Sequence, residues 1–348
     1  MEINVADRKI GDAHPVFIIA ELSANHLQDF DLAVKTIKAA NKSGADAVKL
    51  QTFTPDTITI DCANEYFKIR QGTIWDGKVL YQLYKEAYMP WEWQPRLKSI
   101  IEDLGMVFFS TPTDSTSADF LQKLGNPVYK VASFEITDIP LIEHIASKGK
   151  PVIISTGIAT LCDIEEAINA CKRMGNEQIA LLKCTSSYPA PMEELNLRTI
   201  PNMAETFQTV VGLSDHTLSI SVPAASVALG AKIIEKHFIL DRKLGGPDAA
   251  FSLEPDEFRA MVNAVRDVER ALGTVNYDLS DKIKRSREFS RSLFVVADIS
   301  EGETLTAENI RSIRPGYGLH PRYLKDVLGS KARKFLAKGT PLSWECVG

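Results

Sequence analysis

Two histidines, His216 and His237, each stand just behind a short apolar run. Residues 209–213 lead into Ser214-Asp215-His216, and residues 231–234 lead into Glu235-Lys236-His237. Small residues at helical spacing separate the two runs. If the runs are parallel strands joined by a helical crossover, both polar tails emerge at one edge of a sheet. The two imidazoles then converge, and neutral nitrogens beside open water positions suit a divalent ion acting as a Lewis acid. The spacing does not name the ion, and two unrelated polar strand ends would look the same.

Lys49 and Lys130 also follow apolar runs. Ser110, Ser155, Ser186 and Ser214, with the backbone of Ser155-Thr156-Gly157, can place hydroxyl and N–H donors around them. Two cations among such donors make a cradle for phosphate or carboxylate. Two other roles compete: pairing of Lys49 and Lys130 with Glu21 and Glu135, or a Schiff-base lysine at a barrel strand end.

Eight short runs must position these residues: 16–20, 45–51, 106–109, 128–131, 151–154, 179–184, 209–213 and 231–234. Helical patterns alternate with them. Asp29 caps the first, Pro90 opens another reaching Leu104, and Pro255 starts a last one with Phe258, Met261, Val262, Val265, Val268 and Leu272 on one face. No GxGxxG follows the first run, so a dinucleotide fold loses its main support. The pattern predicts a (β/α)8 TIM barrel, whose active sites lie at the C-terminal strand ends, where the polar residues cluster. Residues 52–89 form a long insertion with Tyr66, Phe67, Trp75, Tyr81, Tyr84 and Tyr88, read as an ordered lid. The catalytic domain spans 1–273. Residues 274–290 read as a solvated linker, and 291–348 as a small β-rich domain.

Net charge is −5, which disfavours nucleic acid as a partner. Five cysteines without CxxC spacing suggest a reducing compartment and no zinc or disulfide framework. Neither a signal core nor a membrane span is visible, so a cytoplasmic location is expected. His26 reads as a further polar wall; His14, His144 and His320 read as surface or packing residues.

The motifs FIIAELSAN (17–25), VKLQTF (48–53), FFSTPTD (108–114), YKVASFEITDIPL (129–141), ISTG (154–157), CTSSYPAP (184–191), GLSDHT (212–217), EKHF (235–238) and GPDAAFSLEPDEF (246–258) together resemble the sialic acid synthase family over essentially the whole chain. The tail from Arg291 resembles that family's antifreeze-like (SAF) domain. The resemblance implies metal-assisted condensation of phosphoenolpyruvate with an acylated amino-sugar, with C–O cleavage releasing phosphate. It also implies a domain-swapped homodimer in which the small domain of one chain caps the site of the other. Carried over by position, Lys49, Lys130, Ser133, Ser155, Ser186 and Ser214 hold phosphoenolpyruvate. His216 and His237 hold the divalent metal, Mn²⁺ ahead of Mg²⁺ or Co²⁺. Glu21, Gln51, Glu135, Tyr188 and Asp248 face the sugar, with Glu135 as the acid/base, and Arg314 reaches the site from the partner chain. Ser186 departs from neuraminate-forming relatives, which carry Asn.

The block 71–93 and SFEITDIPL resemble the branch that makes pseudaminic acid from 2,4-diacetamido-2,4,6-trideoxy-L-altrose. Apolar Phe134 and Ile136 would suit the methyl group of a 6-deoxy sugar. Neuraminate, legionaminate or spore-coat sugars are the alternatives within the family. A Schiff-base pyruvate aldolase and a non-catalytic carbohydrate-binding protein are the alternatives outside it.

Overall fold

A computed structural model describes residues 1–70 and 72–348; Gln71, which opens the 71–93 block, lies outside the described residues. The chain forms two compact units, Met1–Gly273 and Thr274–Gly348.

In the first unit eight parallel strands close into a barrel: Phe17–Glu21, Ala47–Thr52, Val107–Pro112, Tyr129–Val131, Val152–Ser155, Ile179–Cys184, Val210–Asp215 and Ile233–His237. They pair in chain order. The eighth closes on the first, with Ile233 opposite Phe17 and His237 opposite Glu21. Several strands run further into their polar tails than the apolar runs suggested. Asp215 and His237 are strand residues, because the ladder needs only backbone groups.

Strand side chains alternate between lumen and helix layer. Phe17, Ile19, Ala47, Phe109, Ile153 and Leu182 fill the lumen, whereas Ile18, Val48, Phe108, Ile154, Leu181 and Ile234 pack under the helices. Along the first strand the lumen series is Phe17, Ile19, Glu21, and along the eighth it is Ile233, Glu235, His237. Each strand is therefore apolar at its entry and polar at its exit.

An antiparallel hairpin of Glu2–Val5 and Arg8–Gly11 precedes the barrel. It went unread in the sequence because four-residue strands show only two apolar positions at most. Its Ile3, Val5 and Ile10 join the lumen cluster beside Phe17 and Ile233, at the strands' N-terminal ends.

The helices largely follow their sequence signals. Asp29 accepts from the Leu32 amide at 3.0 Å and caps Phe30–Lys42. The last helix, Pro255–Leu272, buries Phe258, Met261, Val262 and Val265, but its terminal Leu272 is exposed. The helix expected from Pro90 begins as a single turn, Trp91–Trp93, before Gln94–Asp103. Among its described residues the insertion holds two short α-helices, Pro55–Ile58 and Leu80–Ala87, and a single helical turn, Glu65–Phe67.

One buried ion pair ties the seventh and eighth strands together from the outside. Lys236 and Asp215 have fully buried side chains 2.5 Å apart. Lys236 also donates to the Thr217 carbonyl, and Asp215 accepts from the Thr217 amide at 2.9 Å.

The second unit pairs Ser292–Val295 with Ile310–Ile313 over a core of Leu293, Val295, Ile299, Leu305 and Leu336. A short helix, Asp281–Ser286, lies within the stretch read as linker. Among the described residues no helix is long and apolar enough to cross a membrane.

Candidate active site

The lumen parity that stacks apolar side chains at the strand entries puts Glu21, Lys49, Lys130, Ser155, Ser214, Glu235 and His237 at the exits. All seven are buried. Lys49 Nζ lies 3.1 Å from Glu21 Oε2 and 3.0 Å from Glu235 Oε1. Ser214 Oγ donates to the same Glu235 oxygen at 3.2 Å. The expected Lys49–Glu21 pairing is thus present, but Glu235 is a second partner that residue types alone did not single out. Its signal was parity: it lies two residues before His237 on the same face of a strand.

Burial and the nearby Glu235 push the Glu21 carboxyl upward against the pull of Lys49. Burial pushes Glu235 up as well, but Lys49 and Lys130 outweigh it and hold that group low. Lys49 is driven down by burial yet held above the ordinary lysine value by its two carboxylates. The three groups therefore share a proton economy in which Glu21 is the carboxyl that keeps its proton longest.

Lys130 is different. Its Nζ donates to Ser155 Oγ at 2.6 Å and to the Val131 carbonyl at 2.8 Å. The alternative pairing with Glu135 does not form, since the ammonium is turned toward the next strand. Burial brings Lys130 down to about 8, with Lys49 adding to the effect and Glu235 opposing it.

Beside it, the Gly157 amide donates to Ser133 Oγ at 3.1 Å. A β-carbon on Gly157 would come within 2.1 Å of Ser186 Oγ and 2.7 Å of Ser133 Oγ. Ser133, Ser155 and Ser186 thus gather around Lys130 and one glycine that has no room for a side chain. Glu135, in the turn Ser133–Glu135, has its carboxyl raised by burial, with Lys130 and Lys49 pulling the other way.

The two histidines do converge, with ring centroids 5.2 Å apart. His216 Nδ1 donates to the Thr185 carbonyl at 3.1 Å, so Nε2 is the nitrogen left to face a ligand; against burial, the neighbouring Cys184 and that carbonyl hold the ring above the ordinary histidine value. His237 Nδ1 is buried and lacks a hydrogen-bond partner. Burial and the adjacent His216 keep the His237 ring well below the usual histidine range, hence neutral. Two converging imidazoles, one with a buried ring nitrogen that has no partner, fit a divalent cation, and among the described residues no group of three or more His, Cys, Asp or Glu offers a fuller donor set.

Further out, Gln51 donates to Glu21 at 3.0 Å and to Ser23 at 2.9 Å, and Ser23 donates to Asp248. Tyr188 lies 4.6 Å from the His216 ring and 5.1 Å from Phe251. Phe251, buried and 4.9 Å from His237, was not anticipated from the sequence. Arg314 is exposed, just past the strand Ile310–Ile313 in the second unit.

Three expectations change. Ile136 is fully buried in the core and cannot line a ligand site, whereas Phe134 is exposed. Ser110 is buried and engaged with Thr52 Oγ1 at 2.6 Å, away from the lysine cradle. His26 is not a wall: it is fully buried, 5.9 Å from Trp93 in an edge-on contact, with Nδ1 accepting from the Gln28 amide.

Burial holds His26 down to about 4 from an ordinary 6.5. Between those values the unfolded chain takes up a proton that the folded one refuses. The neutral-ring stability is therefore complete above about pH 6.5 and is lost as the pH falls toward about 4, by about 3 kcal/mol in all. Urea midpoints for wild type and His26→Asn across that window should show a shallower acid slope in the variant; parallel slopes would refute the assignment.

The chain matches the NeuB family over residues 36–277 and the SAF domain over 290–348. It is 46% identical to a pseudaminic acid synthase of Helicobacter pylori, over 94% of this chain and 97% of the relative. It is 45% identical to one from Campylobacter jejuni, over 94% and 95%. A crystal structure of the spore coat polysaccharide biosynthesis protein spsE from Bacillus subtilis is 34% identical, with a TM-score of 0.68 and coverage of 100% of this chain and 99% of that one.

Proposed function

The chain belongs to the NeuB family, and from that premise we propose that it condenses phosphoenolpyruvate with 2,4-diacetamido-2,4,6-trideoxy-L-altrose and water, giving pseudaminic acid and phosphate. The observation that carries this reading is the meeting, at the C-terminal mouth of the barrel, of a two-lysine serine cradle and two buried, converging imidazoles.

Lys130, Ser133, Ser155, Ser186 and the Gly157 backbone would hold the phosphate end, while Lys49 and Ser214 would hold the carboxylate and offset its charge. A divalent cation on His216 and His237, Mn²⁺ before Mg²⁺ or Co²⁺, would supply Lewis-acid polarisation of the sugar aldehyde. Glu135, whose carboxyl is held above its ordinary value by burial, gives a proton to the aldehyde oxygen as C3 of phosphoenolpyruvate bonds to the carbonyl carbon. Water then adds at C2 and returns a proton to Glu135; as the bond from C2 to the phosphate oxygen breaks, the new hydroxyl becomes the ketone and its proton leaves with the phosphate. Gln51 and Glu21 orient the sugar and that water, and Asp248 and Tyr188 line the sugar end.

Phe134, Leu161, Met192 and Leu218, one on each segment that follows the fourth to seventh strands, are exposed apolar side chains and would form a rim at that end of the barrel. Such a rim suits cover by a second copy, and we assign that cover to the small domain of a partner chain carrying Arg314, in a homodimer. Light scattering that gave a monomer at full activity would remove this assignment. Free phosphoenolpyruvate as substrate supports a reaction in the cytoplasm.

Phosphate release from a panel of amino-sugars tests the whole reading. The 6-deoxy diacetamido sugar should be used best, chelation should abolish turnover, and added Mn²⁺ should restore it. Turnover that survives chelation would remove the metal role. A second reading, a Schiff-base pyruvate aldolase, draws on the depressed Lys130. However, that amine is engaged by Ser155 and the Val131 carbonyl, and borohydride with pyruvate should leave it unlabelled.

A further inference from the structure

The aromatic surface around the histidines continues beyond Tyr188. Trp75, from the insertion after the second strand, lies 5.3 Å from the Tyr188 ring and 6.3 Å from Phe251. Its Nε1–H donates to the Pro247 carbonyl at 3.1 Å, one residue before Asp248. The series Trp75, Tyr188, His216 thus runs as touching rings from the insertion to the imidazole pair.

Local structure fixes the indole in place. Asp76 accepts from the amides of Gly72 and Thr73 at 3.0 and 2.9 Å and from Thr73 Oγ1 at 3.0 Å. The Lys68–Val79 bridge and the Ile69 amide bond to the Lys78 carbonyl at 3.0 Å clamp the base of the turn. Trp75 is only half-buried, so part of a rigidly held ring stays open to a ligand.

We infer that Trp75 is a specificity-determining wall of the sugar subsite, selecting amino-sugars that carry methyl and acetamido groups where others carry hydroxyls. The inference rests on the functional reading above and deepens it. An indole face gains from burying C–H surface and offers a hydroxyl no partner. An apolar wall discriminates such groups by roughly 10- to 200-fold, less than a hydrogen-bonding site can achieve. The single N–H of the indole is already committed to Pro247, so Trp75 acts on the sugar through its ring alone.

Steady-state kinetics of the full chain with its divalent cation test this with two probes, 2,4-diacetamido-2,4,6-trideoxy-L-altrose and N-acetylmannosamine. Trp75→Ala should lower kcat/KM for the first by about 10- to 100-fold and for the second by less than about 3-fold, with the KM for phosphoenolpyruvate within about 2-fold. Trp75→Phe, which keeps a ring but loses the Pro247 bond, should fall between. Equal losses on both sugars, or a loss confined to phosphoenolpyruvate, would overturn the inference.

Should Trp75→Ala fail to fold, fluorescence keeps the question open to decision. The deoxy sugar should perturb wild-type tryptophan emission, and Trp75→Phe should lose that change although Trp91, Trp93 and Trp344 remain. An unchanged response in Trp75→Phe counts against Trp75. If wild type uses neither sugar, the functional reading itself falls, whereas sugar turnover that ignores both variants removes only the role of Trp75.

Discussion

Gly157→Ala is expected to reduce kcat/KM for phosphoenolpyruvate by about a hundred- to ten-thousand-fold while leaving the protein folded. The alanine methyl would meet Ser186 Oγ at 2.1 Å, Ser133 Oγ at 2.7 Å and Cys184 Sγ at 3.1 Å. Each is the terminal atom of a short side chain and can rotate away, so the fold should lose only the 1–3 kcal/mol or so of ordinary overpacking. Function has no such escape, because rotation takes two hydroxyls out of the cradle beside Lys130. Hydrogen bonds to a charged group are worth about 1.5–3 kcal/mol each, so losing two costs about 3–6 kcal/mol. At about 1.4 kcal/mol per tenfold, that gives the stated range. Ser133→Ala and Ser186→Ala should each show part of the loss. A Gly157→Ala enzyme with an unaltered KM and kcat would show that the cradle is not where phosphate sits.

The second large effect is on stability. Lys236→Met should destabilise the barrel by about 3–5 kcal/mol, because it leaves the Asp215 carboxylate buried without its cation. The Thr217 amide and hydroxyl still reach Asp215, at 2.9 and 3.1 Å, which argues for the lower part of that range. The Thr217 carbonyl also loses its donor. Pairing the change with Asp215→Leu should restore much of the stability, since apolar replacement of a buried ion pair is often neutral or better. Denaturant midpoints of the two variants decide the matter. A single variant as stable as wild type would mean that water reaches Asp215.

The barrel was legible because each strand carries its own signal: a short run of β-branched and apolar residues ending in polar chemistry, with helices between. The convergence of His216 and His237 followed from topology once those runs were parallel neighbours. Other features depend on contacts that no local pattern reports. Glu235 looked like part of a polar tail, and only lumen parity shows it facing Lys49. Ile136 looked like a candidate pocket residue because it sits beside Glu135, yet one residue in a tight turn is enough to send it into the core. Trp75 stood out as one aromatic among seven in the insertion, and its meeting with Tyr188 joins segments far apart in the chain. His26 was misread for the opposite reason: a polar residue just past a strand end suggests the site, but packing against Trp93 removes it.

The seam between the eighth strand and the first also sets an order of assembly. Lys49 leaves the ribosome with Glu21 nearby, but its second carboxylate, Glu235, lies 186 residues further on. The eighth strand also supplies His237, the lumen residue opposite Glu21. Closing so long a loop is entropically slow before its contacts repay it. Until the eighth strand is made the barrel cannot close, so its charge compensation and the second half of its candidate metal pair arrive together, with the final stave.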